Sequence, residues 1–245
     1  MDDFIVLAEG FSAVRVELQQ ERFSVSSDLQ DKIEQIWQEQ SKRAPAKGQE
    51  LTNNQICRIK HQCVKDSILY LDLQPTDYRH FVGLRHILDA ANCANPISVG
   101  GITITDDDYI VLGRKGRKVE LGAGQVHIVP SGYVDLDDVA GRGGGVGFAL
   151  ARELAEETGS GIYKPIALID KKDMRQPMLV YKVRMPFKKA EVEAMFDTVE
   201  REFSELLFYK NTAEGVANAL AERGEELRSH ARGALTCYLR RFSQL

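Results

Sequence analysis

The chain reads as an α+β fold: a domain built on a mixed sheet, preceded by a small α/β appendage. Three observations carry that reading. Short strand-like runs separated by turn residues recur from about Asn95 onward. Amphipathic helical runs with capping residues lie between and after them. The stretch before Asn95 has its own strand–helix–strand pattern, which divides the chain into residues 1–94 and 95–245.

Phe4–Ala8 and Ala13–Leu18 read as short strands joined in a hairpin around Gly10. Ser26, Ser27 and Asp28 offer caps for a helix through Gln40, with Leu29, Ile33, Ile36 and Trp37 at helical spacing. The loop Ala44–Gly48 leads to strands near Gln55–Val64 and Ser67–Leu73. Thr76 or Asp77 can then cap a short helix carrying Tyr78, Phe81 and Leu84. In the second part, strands near Ile97–Thr105 and Tyr109–Leu112 flank the acidic turn Asp106–Asp108. Gln125–Val129 is a strand stopped by Pro130-Ser131-Gly132. The glycine-rich loop Gly141–Gly145 opens a helix to about Thr158, and Gly159 and Gly161 suit its C-terminal cap. Strands near Ile162–Asp170 and Met178–Arg184 follow, then a helix near Lys188–Val199 and a strand near Ser204–Tyr209. Helices near Thr212–Glu222 and Ser229–Phe242 come last.

Composition narrows the partners. A net charge of −4 gives no electrostatic basis for holding a nucleic-acid backbone. An anionic small molecule therefore needs a local basic patch or a bridging cation. No apolar run reaches the ~18–20 residues that cross a bilayer, and the acidic Asp2-Asp3 stands where a signal peptide would be basic. The expectation is a soluble, cytoplasmic protein, no membrane partner, and reduced thiols at Cys57, Cys63, Cys93 and Cys237. No sequence feature specifies an oligomeric state. Cys57, His61 and Cys63 share one face of a strand with Ile59. Along a strand, however, the two cysteines lie roughly 20 Å apart, too far for one zinc with bonds of about 2–2.3 Å. They are read as a half-buried strand face.

Chemistry concentrates in Arg152-Glu153-Leu154-Ala155-Glu156-Glu157-Thr158-Gly159. On a helix, Glu153 lies one turn from both Glu156 and Glu157, so the three carboxylates share an arc of about 100°. Phe148, Ala151, Leu154 and Ala155 fall on the other side and are expected to form the packing face. Like charges so close repel, and a hard divalent cation resolves the conflict because magnesium prefers carboxylate and water oxygens. The preceding glycines allow backbone to approach such a site. No Gly-Lys-Ser/Thr ends the loop, so it is not a P-loop, and its glycines do not fit a dinucleotide fingerprint. The residues alone thus describe either a metal-assisted phosphate site or a solvated acidic face.

This segment resembles the Nudix signature, Gly-x5-Glu-x7-Arg-Glu-(apolar)-x-Glu-Glu-x-Gly-(apolar). Its second half is complete from Arg152 to Gly159. The first half departs from it: five residues after Gly132 comes Asp138 in place of glutamate, and thirteen residues then precede Arg152, six more than the pattern has. Ser160 stands at the last apolar position. The extended box, the appendage and Thr76-Asp77-Tyr78-Arg79 resemble the UDP-sugar-hydrolysing branch of the family.

The resemblance implies a Nudix fold, an α/β/α sandwich with a mixed sheet, and magnesium-dependent cleavage (manganese as an alternative) of a small nucleotide diphosphate. The branch implies UDP-glucose or UDP-galactose, giving UMP and sugar 1-phosphate. ADP-ribose or a dinucleotide is the competing substrate, and a non-catalytic nucleotide sensor the competing class. Glu153, Glu156 and Glu157 would hold the metal, helped by the Gly132 carbonyl. Arg152 would pair with carboxylates of the box, Asp138 among them. Glu202 is the candidate later acid for base catalysis, beside the plainer reading of a solvated surface acid. Arg114, Lys115, Arg117 and Lys118, after the strand Tyr109–Leu112, are candidate phosphate contacts, Arg114 and Arg117 foremost, or a solvated hairpin turn. Tyr78, Phe81 and Arg79 are candidates for a uracil or phosphate contact, or ordinary helix packing. His127, inside a strand, reads as a core residue or a support behind the site rather than a catalyst.

Overall fold

The computed structural model describes residues 3–48, 51–87, 89, 92–117, 121–141, 144–157, 159–196 and 202–243. In chain order, β1 (Phe4–Glu9) and β2 (Ala13–Leu18) precede α1 (Ser27–Arg43), β3 (Gln55–Lys65), β4 (Ile68–Asp77) and α2 (Tyr78–Leu84). Next come β5 (Ser98–Ile104), β6 (Tyr109–Lys115), β7 (Val126–Ile128), β8 (Ser131–Tyr133), α3 (Leu136–Ala140) and α4 (Val146–Glu157). Then follow β9 (Ile162–Lys171), β10 (Met178–Arg184), α5 (Lys189–Phe196), β11 (Phe203–Lys210), α6 (Ala213–Glu222) and α7 (Ser229–Phe242). The expected helix ends at Thr158 and Val199 lie outside the described residues.

The fold is α+β. An eight-stranded mixed sheet runs β1-β9-β10-β5-β6-β11, with β7 on β6 and β8 on β5, and the β10–β5 pair is parallel. A second sheet of three strands runs β2-β4-β3. On one face of the large sheet, α6 and α7 bury Val216, Ala219, Ala234 and Leu235 against Ile102, Ile110 and Leu112. On the other face, α4 and the small sheet pack Leu150, Leu154, Leu69 and Leu71 against Val99, Leu168 and Leu179. A sandwich is present, but one of its outer layers is half helix and half sheet. A third apolar cluster joins Ile33 of α1 to Phe81 and Leu84 of α2.

Three expectations are corrected. The β1–β2 hairpin does not form: β1 pairs antiparallel with β9, and β2 pairs parallel with β4. Gly10, at φ +77°, makes the turn, but a turn does not select the partner when two sheets offer open edges. β1 therefore links the first part of the chain to the large sheet. The hairpin that does form is β3–β4, whose turn residues Asp66 and Ser67 both take positive φ, at 51° and 58°. Second, the shared face of Cys57, Ile59, His61 and Cys63 is broken by a register shift between Ile59 and His61. Cys57 and Ile59 are buried while His61 and Cys63 are exposed.

Third, α4 packs on a different stripe. Val146, Ala149, Leu150, Glu153 and Leu154 are buried, whereas Phe148 is 54% exposed and Ala151 and Ala155 face solvent. Both stripes have helical spacing. The buried one carries more branched apolar surface, so the hydrophobic effect selects it. The consequence reaches the site, because Glu153 now points inward with the packing face. Among the described residues no helix is long and apolar enough to cross a membrane.

Candidate active site

A cavity of about 440 Å³ opens between the large sheet, the second half of α4, the start of α2 and the segment before β3. Its wall takes Glu153, Arg152, Gly132 and Ser131 from the box, Lys115 and Glu202 from β6 and the approach to β11, and Tyr78 from α2. β8 is the scaffold for the box side. Its antiparallel pairing with β5 sets Gly132 opposite Val99, and α4 rests beside it. A Cβ on Gly132 would lie 2.0 Å from Glu153 Oε1, so the bare Cα is what lets this carboxylate sit against the strand.

Arg152 ties the box together. Its Nη2 donates to Asp138 Oδ2 at 3.0 Å and to the Tyr133 carbonyl at 3.0 Å, and Nε donates to Asp138 Oδ1 at 3.3 Å. Nη1 donates to Glu153 Oε1 at 2.6 Å. Asp138 in turn accepts the Asp135 N–H at 2.9 Å at the start of α3. The thirteen residues between Asp138 and Arg152 therefore loop out without separating the pair. The first two of them, Val139 and Ala140, end α3, a short helix not expected from the sequence although Asp135 and Asp138 stand at capping-box spacing. Arg142 and Gly143 lie outside the described residues.

The three carboxylates divide. Glu156 is 59% exposed at its side chain and reaches Arg152 only at 3.9 Å. Glu153 is buried, and burial raises its pKa while Arg152 pulls it back. Neither carboxylate oxygen of Glu157 has a hydrogen-bond partner of good geometry, and both are shut off from solvent. Burial and repulsion from Glu153 push the Glu157 pKa up, opposed by Lys115 and the nearby Ser131 N–H. Lys115 is the complement: buried, ion-paired with Glu202, with its pKa lowered by burial and by Arg228.

Among the described residues, no three His, Cys, Asp or Glu side chains are already gathered as a metal cluster. The donors nevertheless fit a hard cation. Glu153 lies against the backbone of Gly132, Glu157 lies near the Ser131 N–H with neither oxygen in a hydrogen bond of good geometry, and oxygen is the ligand that magnesium or manganese selects. Glu156 does not join this set in the conformation described.

Other expected residues fall in different places. Glu202 and Tyr78 line the cavity. Tyr78 also meets Tyr133 and Phe81 with ring centroids 5.4 and 5.8 Å away, so it packs and lines at once. Arg79 does not reach the cavity; it pairs with Glu34 at 3.3 Å and Asp77 at 3.8 Å. Arg114 is turned to the opposite side of β6, held by Glu205 at 2.8 Å and Glu226 at 3.0 Å. Arg117 is exposed beyond the end of β6 and does not line the cavity, and Lys118 lies outside the described residues. For these arginines the reason is the same: a nearby surface carboxylate or open water satisfies the guanidinium better than a wall already holding Lys115.

Lys115, one of the four expected cations, does line the cavity, as do His127 and three residues that sequence reasoning passed over: Gln176, Arg228 and His230. Strand alternation sends Lys115 to the face opposite Arg114, which separates the two neighbours. His127 is buried as expected but faces the cavity with Nδ1 unpartnered. Gln176, Arg228 and His230 come from the β9–β10 connection and the start of α7, far from the box in sequence.

No family model and no curated protein sequence matches the chain. Solved structures resembling it include a MutT/Nudix family protein from Listeria innocua, at 17% identity and TM-score 0.46, covering 61% of this chain and 94% of that one. The NUDIX domain of Shewanella oneidensis NrtR, complexed with ADP ribose, aligns at 14% identity and TM-score 0.42 over 62% of this chain and 92% of its own. A MutT protein from Methanosarcina mazei aligns at 19% identity and TM-score 0.40 over 61% and 93%.

Proposed function

We propose that the chain is a Nudix-type hydrolase that cleaves the diphosphate of a nucleotide derivative with the help of a divalent metal ion. One observation carries the reading: both carboxylate oxygens of Glu157 are shut off from solvent without a hydrogen bond of good geometry, beside Glu153, which itself lies against the bare backbone of Gly132. Burying a carboxylate in that way is costly unless a cation or ligand meets it. A structural helix has no use for it.

Glu153 and Glu157 would hold magnesium or manganese, which supplies charge neutralisation on the bridging phosphates. Arg152 keeps Glu153 and Asp138 in place, so its role is positioning. Glu202 borders the same cavity and is held by Lys115; in this reading it receives the proton of the attacking water. The cavity of about 440 Å³ suits a nucleotide-sized ligand, and Tyr78 and Tyr133 offer ring surface for a base.

Within this class we assign UDP-glucose or UDP-galactose as substrate, supported by the resemblance of the extended box and the Thr76–Arg79 segment to the UDP-sugar branch. Incubation with UDP-glucose and Mg²⁺, with release of UMP and glucose 1-phosphate, tests the assignment. ADP-ribose is the comparison substrate, and equal or faster cleavage of it would move the assignment to adenine nucleotides. Nucleotide binding without hydrolysis of either compound would make the chain a sensor instead.

A further inference from the structure

A second electrostatic feature of the cavity lies outside the carboxylate edge. Arg228 stands at the start of α7, where a parallel bridge between Val126 and Leu227 pins the helix to β7. The Arg228 N–H donates to the Val126 carbonyl at 3.0 Å. Its guanidinium lines the cavity, and Nη1 donates to the Leu121 carbonyl at 2.9 Å. Gly122, at φ +75°, clears the space: a Cβ there would lie 2.8 Å from the Arg228 side chain.

The other cations of the wall are matched. Lys115 has Glu202, and Arg152 has Asp138 and Glu153. Among the described residues no carboxylate pairs with Arg228, although burial disfavours its charge. Beside it, His127 and Gln176 are only 2% and 5% exposed, and His127 Nδ1 and Gln176 Oε1 have no hydrogen-bond partner. Gln176 is held in register by its Nε2, which donates to the Tyr133 hydroxyl at 2.7 Å. A guanidinium drawn out of water without a counter-carboxylate is a site for a phosphate oxygen. Unpaired neutral groups next to it call for a ligand that both donates and accepts, as hydroxyls do.

We propose that Arg228 is the anion clamp of this cavity. It holds a phosphate ester whose hydroxyl-bearing part lies against His127 and Gln176. The clamp rests on the hydrolase reading for its place in a reaction, where it grips the half of the diphosphate farther from the carboxylate edge. Binding itself needs no metal, and this makes the two separable. Both products of the assigned reaction, a nucleoside monophosphate and a sugar 1-phosphate, carry this chemistry.

The test is calorimetric titration of the full chain in EDTA with UMP, glucose 1-phosphate and inorganic phosphate. At least one ester is expected to bind more tightly than inorganic phosphate. Arg228→Gln should weaken that binding by about 10-fold or more. Arg228→Lys, which keeps the charge but loses the planar fork, should fall between them. Glu157→Gln should not weaken it, since it removes a negative charge. In turnover assays Arg228→Gln should raise KM more than it lowers kcat.

Equal affinity in wild type and both Arg228 variants, all melting alike, overturns the clamp. So does no binding of any probe without metal, and so does inorganic phosphate binding as well as the esters. If diphosphates are hydrolysed and Arg228→Gln leaves KM unchanged, the clamp fails and the hydrolase reading stands. If binding depends on Arg228 and nothing is hydrolysed, the clamp stands and the hydrolase reading fails. Should Arg228→Gln not fold, the wild-type and Arg228→Lys affinities decide: the clamp requires a weaker lysine variant.

Discussion

Arg114 and Lys115 are neighbours on β6 and meet opposite fates. Arg114 turns outward, where Glu205, Glu226 and the Gly124 carbonyl surround it on a surface open to water. Lys115 turns inward, pairs with Glu202, and feels the charges of Glu153 and Glu157 through a water-poor wall. Both are cations among acids. On the outside, solvent screens each pair and the cluster contributes little to stability. On the inside, every mismatch of charge is expensive unless a ligand completes it, as the proposed function requires.

The contrast breaks if the buried side behaves like the surface side. Glu157→Gln gives the largest expected effect: turnover of a nucleotide diphosphate with Mg²⁺ should fall by about 100-fold or more, with the circular dichroism spectrum unchanged. A loss of only a few-fold would make Glu157 no more important than Glu205.

Arg152→Ala comes next. It strips Glu153 and Asp138 of their shared donor in a region one-third exposed or less, and should cost on the order of 2–3 kcal/mol in urea unfolding. An unchanged midpoint would show that the box does not depend on this arginine.

A third test uses pH. His230 is buried, donates Nε2–H to the Gln176 carbonyl at 2.6 Å, and has its pKa lowered from 6.5 to about 3 by burial and by Arg228. The unfolded chain takes up this proton near pH 6.5 and the folded chain only near pH 3. More protons are then bound in the unfolded state, so His230 lowers stability progressively as pH falls through that window. His230→Gln keeps a donor for the carbonyl, and its melting temperature should decline less than wild type between pH 6.5 and pH 4. Parallel declines would mean that His230 is not buried as a neutral group.

The smallest effect belongs to the surface cluster. Arg114→Ala should cost no more than about 1 kcal/mol and leave KM for the diphosphate within about twofold, since Arg114 is outside the cavity. A large rise in KM would restore it as a phosphate contact.

Much of the secondary structure was legible from the sequence. The short strand-like runs bounded by turn residues in β5, β6, β9 and β10 and the helical spacing in α1, α6 and α7 are local signals, and the elements fall where those signals lie. The helix carrying Glu153 and Glu157 could be read from spacing, and its pairing with Arg152 from the resemblance of the segment to the Nudix signature. The orientation of α4 could not. Two apolar stripes compete along it, and only the neighbouring Val99, Leu168 and Leu179 decide which one is buried. The same holds for Arg79 and Arg114, whose partners Glu34, Glu205 and Glu226 are distant in sequence.

By itself, then, the order of residues determined most of the segments that become helix or strand, α3 and β8 apart, and that one helix carries closely spaced carboxylates beside an arginine. Those outcomes depend on interactions within a turn or two of the chain. Tertiary structure decided which carboxylates face inward, that β1 completes the large sheet, and that Arg228, Gln176 and His230 meet Lys115 around a common cavity. Each of these follows from long-range competition for burial and for charge partners, which no local window of residues contains.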